Sequence, residues 1–212
     1  MKSHILISVL FFNLLLISCS TSKKISDNNQ NEIQINNQIW MSKNLSTTQF
    51  INGNPIKQAQ SDEEWIKAYN NKTPAWCYAL DYNDKPTSEI LYNYYALIDK
   101  RQICPKGWRI PNDSDWNTLI NNLGGSEKAF YEFQKETNVF NASFFGYRLP
   151  MNWNKTDNNG NIINGQTAFL GESVWWISSG NYLMLAIDDV GSLIMTEEPQ
   201  IQGGYAIRCI KE

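Results

Sequence analysis

The chain has 212 residues, with 18 Lys and Arg against 21 Asp and Glu, four cysteines and one histidine. The length fits one domain of ordinary size with a short tail, and 42% hydrophobic and 13% aromatic residues supply a core. A net charge of -3 is of the wrong sign and too small for a phosphate-backbone binder, so no nucleic-acid partner is expected. The histidine is His4, inside a segment that reads as a leader. Cleavage of that segment excludes Ser-His-Asp and Cys-His nucleophiles, His-ligated zinc and histidine pH switching together.

In chain order, Lys2 supplies the charge of the leader, and Ile5 to Ile17 is apolar except for Ser8 and Asn13, too short to span a bilayer. Leu16-Ile17-Ser18-Cys19 resembles the bacterial lipoprotein box. The resemblance implies a signal peptide over residues 1–18, cleavage before Cys19 and lipidation of its sulfur; the alternative is an ordinary secretory leader. Acyl chains contribute about 0.8 kcal/mol per buried CH₂, so a multiply acylated cysteine holds a protein at a membrane without a spanning helix. Ser20 is not the aspartate associated with inner-membrane retention, so anchorage to the outer membrane is expected, on either face. Residues 19–31 then form the lipidated cysteine and a polar tether whose only apolar side chain after Cys19 is Ile25, a composition that stays disordered.

A single domain is expected over residues 32–212. Glu32-Ile33-Gln34-Ile35 alternates, Asn36-Asn37 is turn chemistry, and Gln38-Ile39-Trp40-Met41 resumes, which predicts a β-hairpin. Ser61 with Glu64 predicts a capping box and a helix through Trp65, Ile66 and Tyr69 to Asn70-Asn71. Pro111 to Asp115 opens a second helix with Trp116, Leu119, Ile120 and Leu123 on one face, ended by Gly124-Gly125. Ser126 is read as the cap of a third, short helix containing Phe130, Tyr131 and Phe133.

From Val139 onward the pattern changes. Strands are predicted over 144–149, 165–170, 174–177, 182–187, 191–195 and 205–210, with Asp157 to Asn161 as the clearest turn. Two to three helices in the first half and antiparallel strands in the second give an α+β fold, not βαβ units. Beyond the leader the cysteines are Cys77, Cys104 and Cys209. In an exported protein two of the three are expected to pair. Cys77, between Trp76 and Tyr78, reads as a small buried hydrophobe with no histidine to activate it.

Several strings, in order, resemble the Fibrobacter succinogenes major paralogous domain. They are Gln38 to Leu45, Pro74 to Tyr78, Leu91 to Ala96, Cys104-Pro105-Lys106-Gly107-Trp108-Arg109-Ile110-Pro111 continuing to Asp115-Trp116 and Leu119, Gly146-Tyr147-Arg148, Trp175 to Ser179, and Gly204 to Cys209. The resemblance implies a C-type-lectin-like fold whose N- and C-terminal strands pair, and a disulfide between Cys104 and Cys209. It implies no known activity. Trp108 to Pro111 with Asp115-Trp116 also resembles the helix entry of formylglycine-generating enzymes. Those enzymes use a C-terminal cysteine pair or histidines, neither of which this chain retains beyond its leader, so the catalysis does not carry over.

Trp175-Trp176 is the loudest pair. Adjacent indoles could stack on sugar rings, but neighbours in a strand face opposite sides. Alternation thus allows at most one in the core and the other outward or beneath loops. The family resemblance implies that both are fold residues, with core favoured as for Trp40, Trp108 and Trp116. Arg109 and Arg148 suit an anion clamp, but the favoured reading is a partly buried ion pair with an acid such as Asp115. Lectin-type calcium loops have no counterpart: Glu198-Pro199-Gln200 and Trp153-Asn154 stand in reversed order and lack the aspartate. No metal or cofactor is expected.

The remaining candidates are irregular connections of the strand-rich half, with Trp153, Asp157, Asn159, Asn161, Asn181, Tyr182 and Asp188 as possible ligand contacts. Rings stack on sugars while amides bond their hydroxyls. The expected function is a lipid-anchored, non-enzymatic binding module presenting loops to glycan or protein. The alternatives are a structural or assembly component of the outer membrane and, behind it, a glycan-active enzyme using carboxylates alone.

Overall fold

A computed structural model describes residues 32–80, 85–134, 147–151, 159, 166–170, 173–186, 192–196 and 201–212. The first hairpin forms as its pattern dictates. Strands β1 (Glu32–Ile35) and β2 (Gln38–Met41) pair antiparallel, with Ile33 opposite Trp40 and Ile35 opposite Gln38. Asn36 takes φ 52°, the left-handed value that a tight hairpin turn needs and that asparagine tolerates.

A two-residue strand β3 (Lys57–Gln58) leads to helix α1 (Asp62–Asn70). The Glu64 N–H donates to the Ser61 hydroxyl, as expected of the cap. Glu64 reaches back one residue further than expected: its carboxylate accepts from the Gln60 N–H (2.8 Å). Strands β4 (Ala75–Leu80) and β5 (Pro86–Asn93) follow, then a single helical turn α2 (Tyr94–Leu97) capped by Asn93. Strand β6 (Trp108–Arg109) precedes α3 (Asp113–Asn122). There Asn112 and Asp115 cap each other's backbone, and Gly124 and Gly125, both at φ 98°, end the helix region.

Helix α4 (Ser126–Gln134) begins at Ser126. The Ser126 hydroxyl, read as a cap, is engaged across the molecule, donating to the Leu193 carbonyl (3.0 Å) and accepting from the Leu193 N–H (3.1 Å). The remaining strands are β7 (Tyr147–Met151), β8 (Gln166–Leu170), β9 (Ser173–Trp176), β10 (Tyr182–Ala186), β11 (Ser192–Met195), β12 (Gly204–Tyr205) and β13 (Ile210–Lys211).

They form a sheet in the order β1-β2-β13-β6, a sheet β11-β10-β9, and a sheet β3-β4-β5-β12-β7-β8. Apart from the parallel β3–β4 pair, the strand pairings are antiparallel. The fold is mixed α+β, and the N-terminal hairpin pairs with the C-terminal strand, Trp40 opposite Ile210.

Three expectations are corrected. Four helices lie among the described residues, and the helical half also holds β4 and β5. Those strands were missed because most of Ala75 to Leu80 is buried on both faces, which erases alternation. The single strand expected over 205–210 is two short ones, because the segment crosses from one sheet to another and changes partner at each step. Ala206 bonds Val174 and Trp176, the Ile207 carbonyl accepts from Leu45 N–H, and the Cys209 carbonyl accepts from Met41 N–H.

The third correction concerns the alternation expected at Trp175 and Trp176: both are fully buried, as the family resemblance implies, where alternation allowed only one. Trp175 packs with Trp40, Trp65, Trp116, Leu119 and Phe133 in one core, and Trp176 with Trp76, Tyr92, Tyr205 and Ile207 in a second. Strand β9 lies between the two, so neither of its faces is left for solvent. Trp40 and Trp116 are core as expected, while Trp108 is only half-buried. Cys77 is a buried thiol.

Candidate functional site

A disulfide ties the middle of the domain to its last segment, and one polar centre ties its two ends. Cys104 and Cys209 form the disulfide, with Cα atoms 6.1 Å apart and a sequence separation of 105. Beside Cys209, Arg208 is buried and its Nε donates to Asn44 Oδ1 (2.9 Å). The same oxygen accepts from Trp175 Nε1 (2.8 Å), and Asn44 Nδ2 donates to Glu89 (3.0 Å). Burial pulls the Arg208 pKa down to about 9, opposed by the Glu89 charge, so the guanidinium stays protonated at neutral pH. Asn44 and Arg208 were missed as a pair. Both stand inside the recognised strings, and 164 residues separate them.

Arg109 makes the ion pair expected of it. Its Nη2 lies 2.9 Å from Asp115 Oδ1, and Nη1 bonds Oδ2. Burial pushes the Asp115 carboxyl up, but Arg109 and the Asn112 N–H outweigh it and hold the group below the usual carboxylate range. Arg148 is placed only by its backbone, opposite Gly204 and Phe169.

Of the candidate ligand residues, Trp153, Asp157, Asn161 and Asp188 lie outside the described residues, as does Cys19. Asn159 is an exposed turn residue. Asn181 and Tyr182 are brought together in the turn between β9 and β10. That turn closes through Ile177 N–H to Asn181 O (2.9 Å) and Gly180 N–H to Ile177 O (2.9 Å), with Gly180 at φ 90°. Its flank is pinned to the helix entry by Ser178 N–H to Pro111 O (2.9 Å).

The Tyr182 backbone bonds Thr196 twice, through its N–H to the hydroxyl (3.2 Å) and its carbonyl to the Thr196 N–H (3.1 Å). The half-buried Tyr182 ring rests on Tyr205 (centroids 4.8 Å), which meets Trp176 edge-on at 4.5 Å. Gly203 makes this stacking possible: a Cβ there would lie 2.3 Å from Tyr205 Oη. The Asn181 side-chain oxygen is buried without a hydrogen-bond partner. The turn thus carries a braced, half-buried ring next to an amide whose oxygen faces inward.

Two clefts open elsewhere. One of about 330 Å³ lies between the start of α1 and the edge of β4, touching Gln60, Asp62 and Tyr78. A second of about 160 Å³ lies beside the disulfide, against Asp99, Gln102 and Trp108. Among the described residues, no group of three His, Cys, Asp or Glu side chains is placed to hold a metal, and no helix is long and apolar enough to cross a membrane.

These features define a disulfide-tied α+β domain built on two aromatic cores. The family model of the Fibrobacter succinogenes major domain matches residues 33–211, almost all of the described region. The chain belongs to that family. No curated protein and no solved structure matches it.

Proposed function

We propose that this protein is a lipid-anchored, non-enzymatic binding module of the bacterial cell envelope, with a C-type-lectin-like scaffold that presents loops to a glycan or protein ligand. The observation that carries the reading is the Asn181–Tyr182 turn. A half-buried tyrosine ring is braced from behind by Tyr205 and Trp176 at the end of this turn. Such a ring loses little entropy on contact. The N- and C-terminal strand pairing and the Cys104–Cys209 bond support the lectin-like scaffold.

Anchorage rests on Leu16 to Cys19, and Ser20 favours the outer membrane. The absence of histidine beyond His4 supports a binding role over catalysis. Glycan-array screening and envelope-protein pull-down with the full chain test the proposal. Retention of a glycan or protein that is lost in Tyr182→Ala supports it. A folded protein that retains neither favours a structural component of the envelope instead. Membrane partitioning of Cys19→Ala tests the anchor, and a variant that still partitions contradicts it.

A further inference from the structure

The 160 Å³ cleft beside the disulfide is separate from the Asn181–Tyr182 turn, and its walls are fixed in advance. Cys104 is bound to Cys209, and β6 is held by β13 through Arg109 opposite Ile210 and Trp108 opposite Lys211. Lys211, itself tied to Glu32 (3.1 Å), lies 5.6 Å from the Trp108 ring and fixes its place. At the rim, Gln102 is exposed and takes φ 57°, a left-handed backbone that non-glycine residues adopt at a cost. Its N–H donates to Asp99 O (3.0 Å) and its carbonyl accepts from Ile51 N–H (2.9 Å), which hold that conformation.

The electrostatics of the cleft select the ligand class. The Arg109 guanidinium is neutralised by Asp115, and the Asp99 carboxylate is neutralised by Arg101 Nε (2.8 Å) and Nη2 (2.7 Å). These two pairs leave planar hydrogen-bonding groups with compensated charges, and the remaining charged residue of the lining, Glu212, is an acid, so the cleft is a poor receptor for an anion. What stays available is the half-buried indole of Trp108, the apolar edge of Ile98, which is 50% exposed, and the Gln102 amide. Sites for drug-sized ligands run about 300–1,000 Å³, so this cleft takes one small ring.

We propose that the cleft binds one neutral sugar ring, the terminal residue of a glycan, lying on Trp108 and hydrogen-bonded by Gln102 and Arg109. The proposal deepens the binding-module reading by naming a ligand class, and it does not depend on the turn.

Titration of the detergent-solubilised full chain, labelled at the indole nitrogens, with methyl glycosides of glucose, galactose, mannose and N-acetylglucosamine tests it. At least one glycoside is expected to shift the Trp108 indole N–H saturably. Gln102→Asn, which keeps an amide on a residue that tolerates left-handed backbone, is expected to weaken binding about tenfold, and Trp108→Ala to abolish it. Tyr182→Ala is expected to leave the titration unchanged. The proposal is overturned if no glycoside moves that resonance, if binding survives both cleft variants, or if methyl glucuronide binds more tightly than methyl glucoside. A glycan lost only in Tyr182→Ala also overturns it, while leaving the role of the turn intact.

Discussion

Trp175 and Trp176 are adjacent in one strand, and each closes a different core. Trp175 lies 5.9 Å from both Trp116 and Phe133, while Trp176 meets Tyr205 at 4.5 Å and donates its indole N–H to the Tyr92 carbonyl (2.7 Å). Strand β9 is thus a partition wall, and the final segment that runs beside it holds both sides. Trp176 N–H donates to Ala206 O (2.9 Å), and Ala206 N–H donates to Val174 O (3.1 Å). This packing places the Asn181–Tyr182 turn at the end of a strand whose Val174, Trp175 and Trp176 are all fully buried.

The polar centre beneath Trp175 depends on one amide. Asn44→Ala removes the acceptor shared by Trp175 Nε1 and Arg208 Nε and the donor to Glu89. A loss on the order of 3 kcal/mol is expected in urea unfolding, because a buried charge loses a hydrogen bond it needs. A loss within experimental error would mean the network is incidental.

The disulfide closes a loop of 105 residues. On the loop-entropy account, reduction costs about 4–5 kcal/mol. Urea melts of the Cys104→Ser/Cys209→Ser variant against the oxidised protein check this, with the buried Cys77 thiol reacting with a maleimide only after unfolding. Equal midpoints would contradict it.

Gly203→Ala pushes a methyl group against the fully buried Tyr205 ring, which has nowhere to retreat. A loss of about 1–3 kcal/mol and a change in the near-UV aromatic circular dichroism are expected. An unchanged spectrum would show that the ring moves freely.

Asp115 sets a pH dependence. Its folded pKa lies below the unfolded value of 3.8, so its contribution is complete above that value and is lost as pH falls through the folded one. Asp115→Asn is expected to cost about 1–2 kcal/mol at neutral pH, from the weakened cap and the Arg109 pair. The gap to the parent protein should close as the pH falls below about 4. A gap that persists at pH 2 would assign the effect to something other than charge.

Where the chain has local rules, the sequence was legible. The hairpin at Asn36-Asn37, the cap at Ser61, the helix start within Pro111 to Asp115 and the Gly124-Gly125 stop each depend on a few neighbouring residues, and each was anticipated. The Arg109–Asp115 pair joins residues only six apart and was equally readable. Strand β4 and the second half of β5 were not, because burial on both faces removes the period. The Asn44–Arg208 contact and the dual burial of Trp175 and Trp176 were hidden for another reason: they depend on sheet order, which pairs segments far apart in sequence. Trp108 went from expected core to cleft wall because β6 ends its sheet rather than crossing it.

The most direct test of the binding account compares the full chain with Tyr182→Ala, at matched folded fraction, in affinity for a glycan or envelope protein whose retention does not require Trp108. The account predicts at least about tenfold weaker binding by the variant, since an interfacial aromatic anchor contributes on that scale, with a stability change too small to explain it. Equal affinity of the two proteins for that ligand would contradict the account.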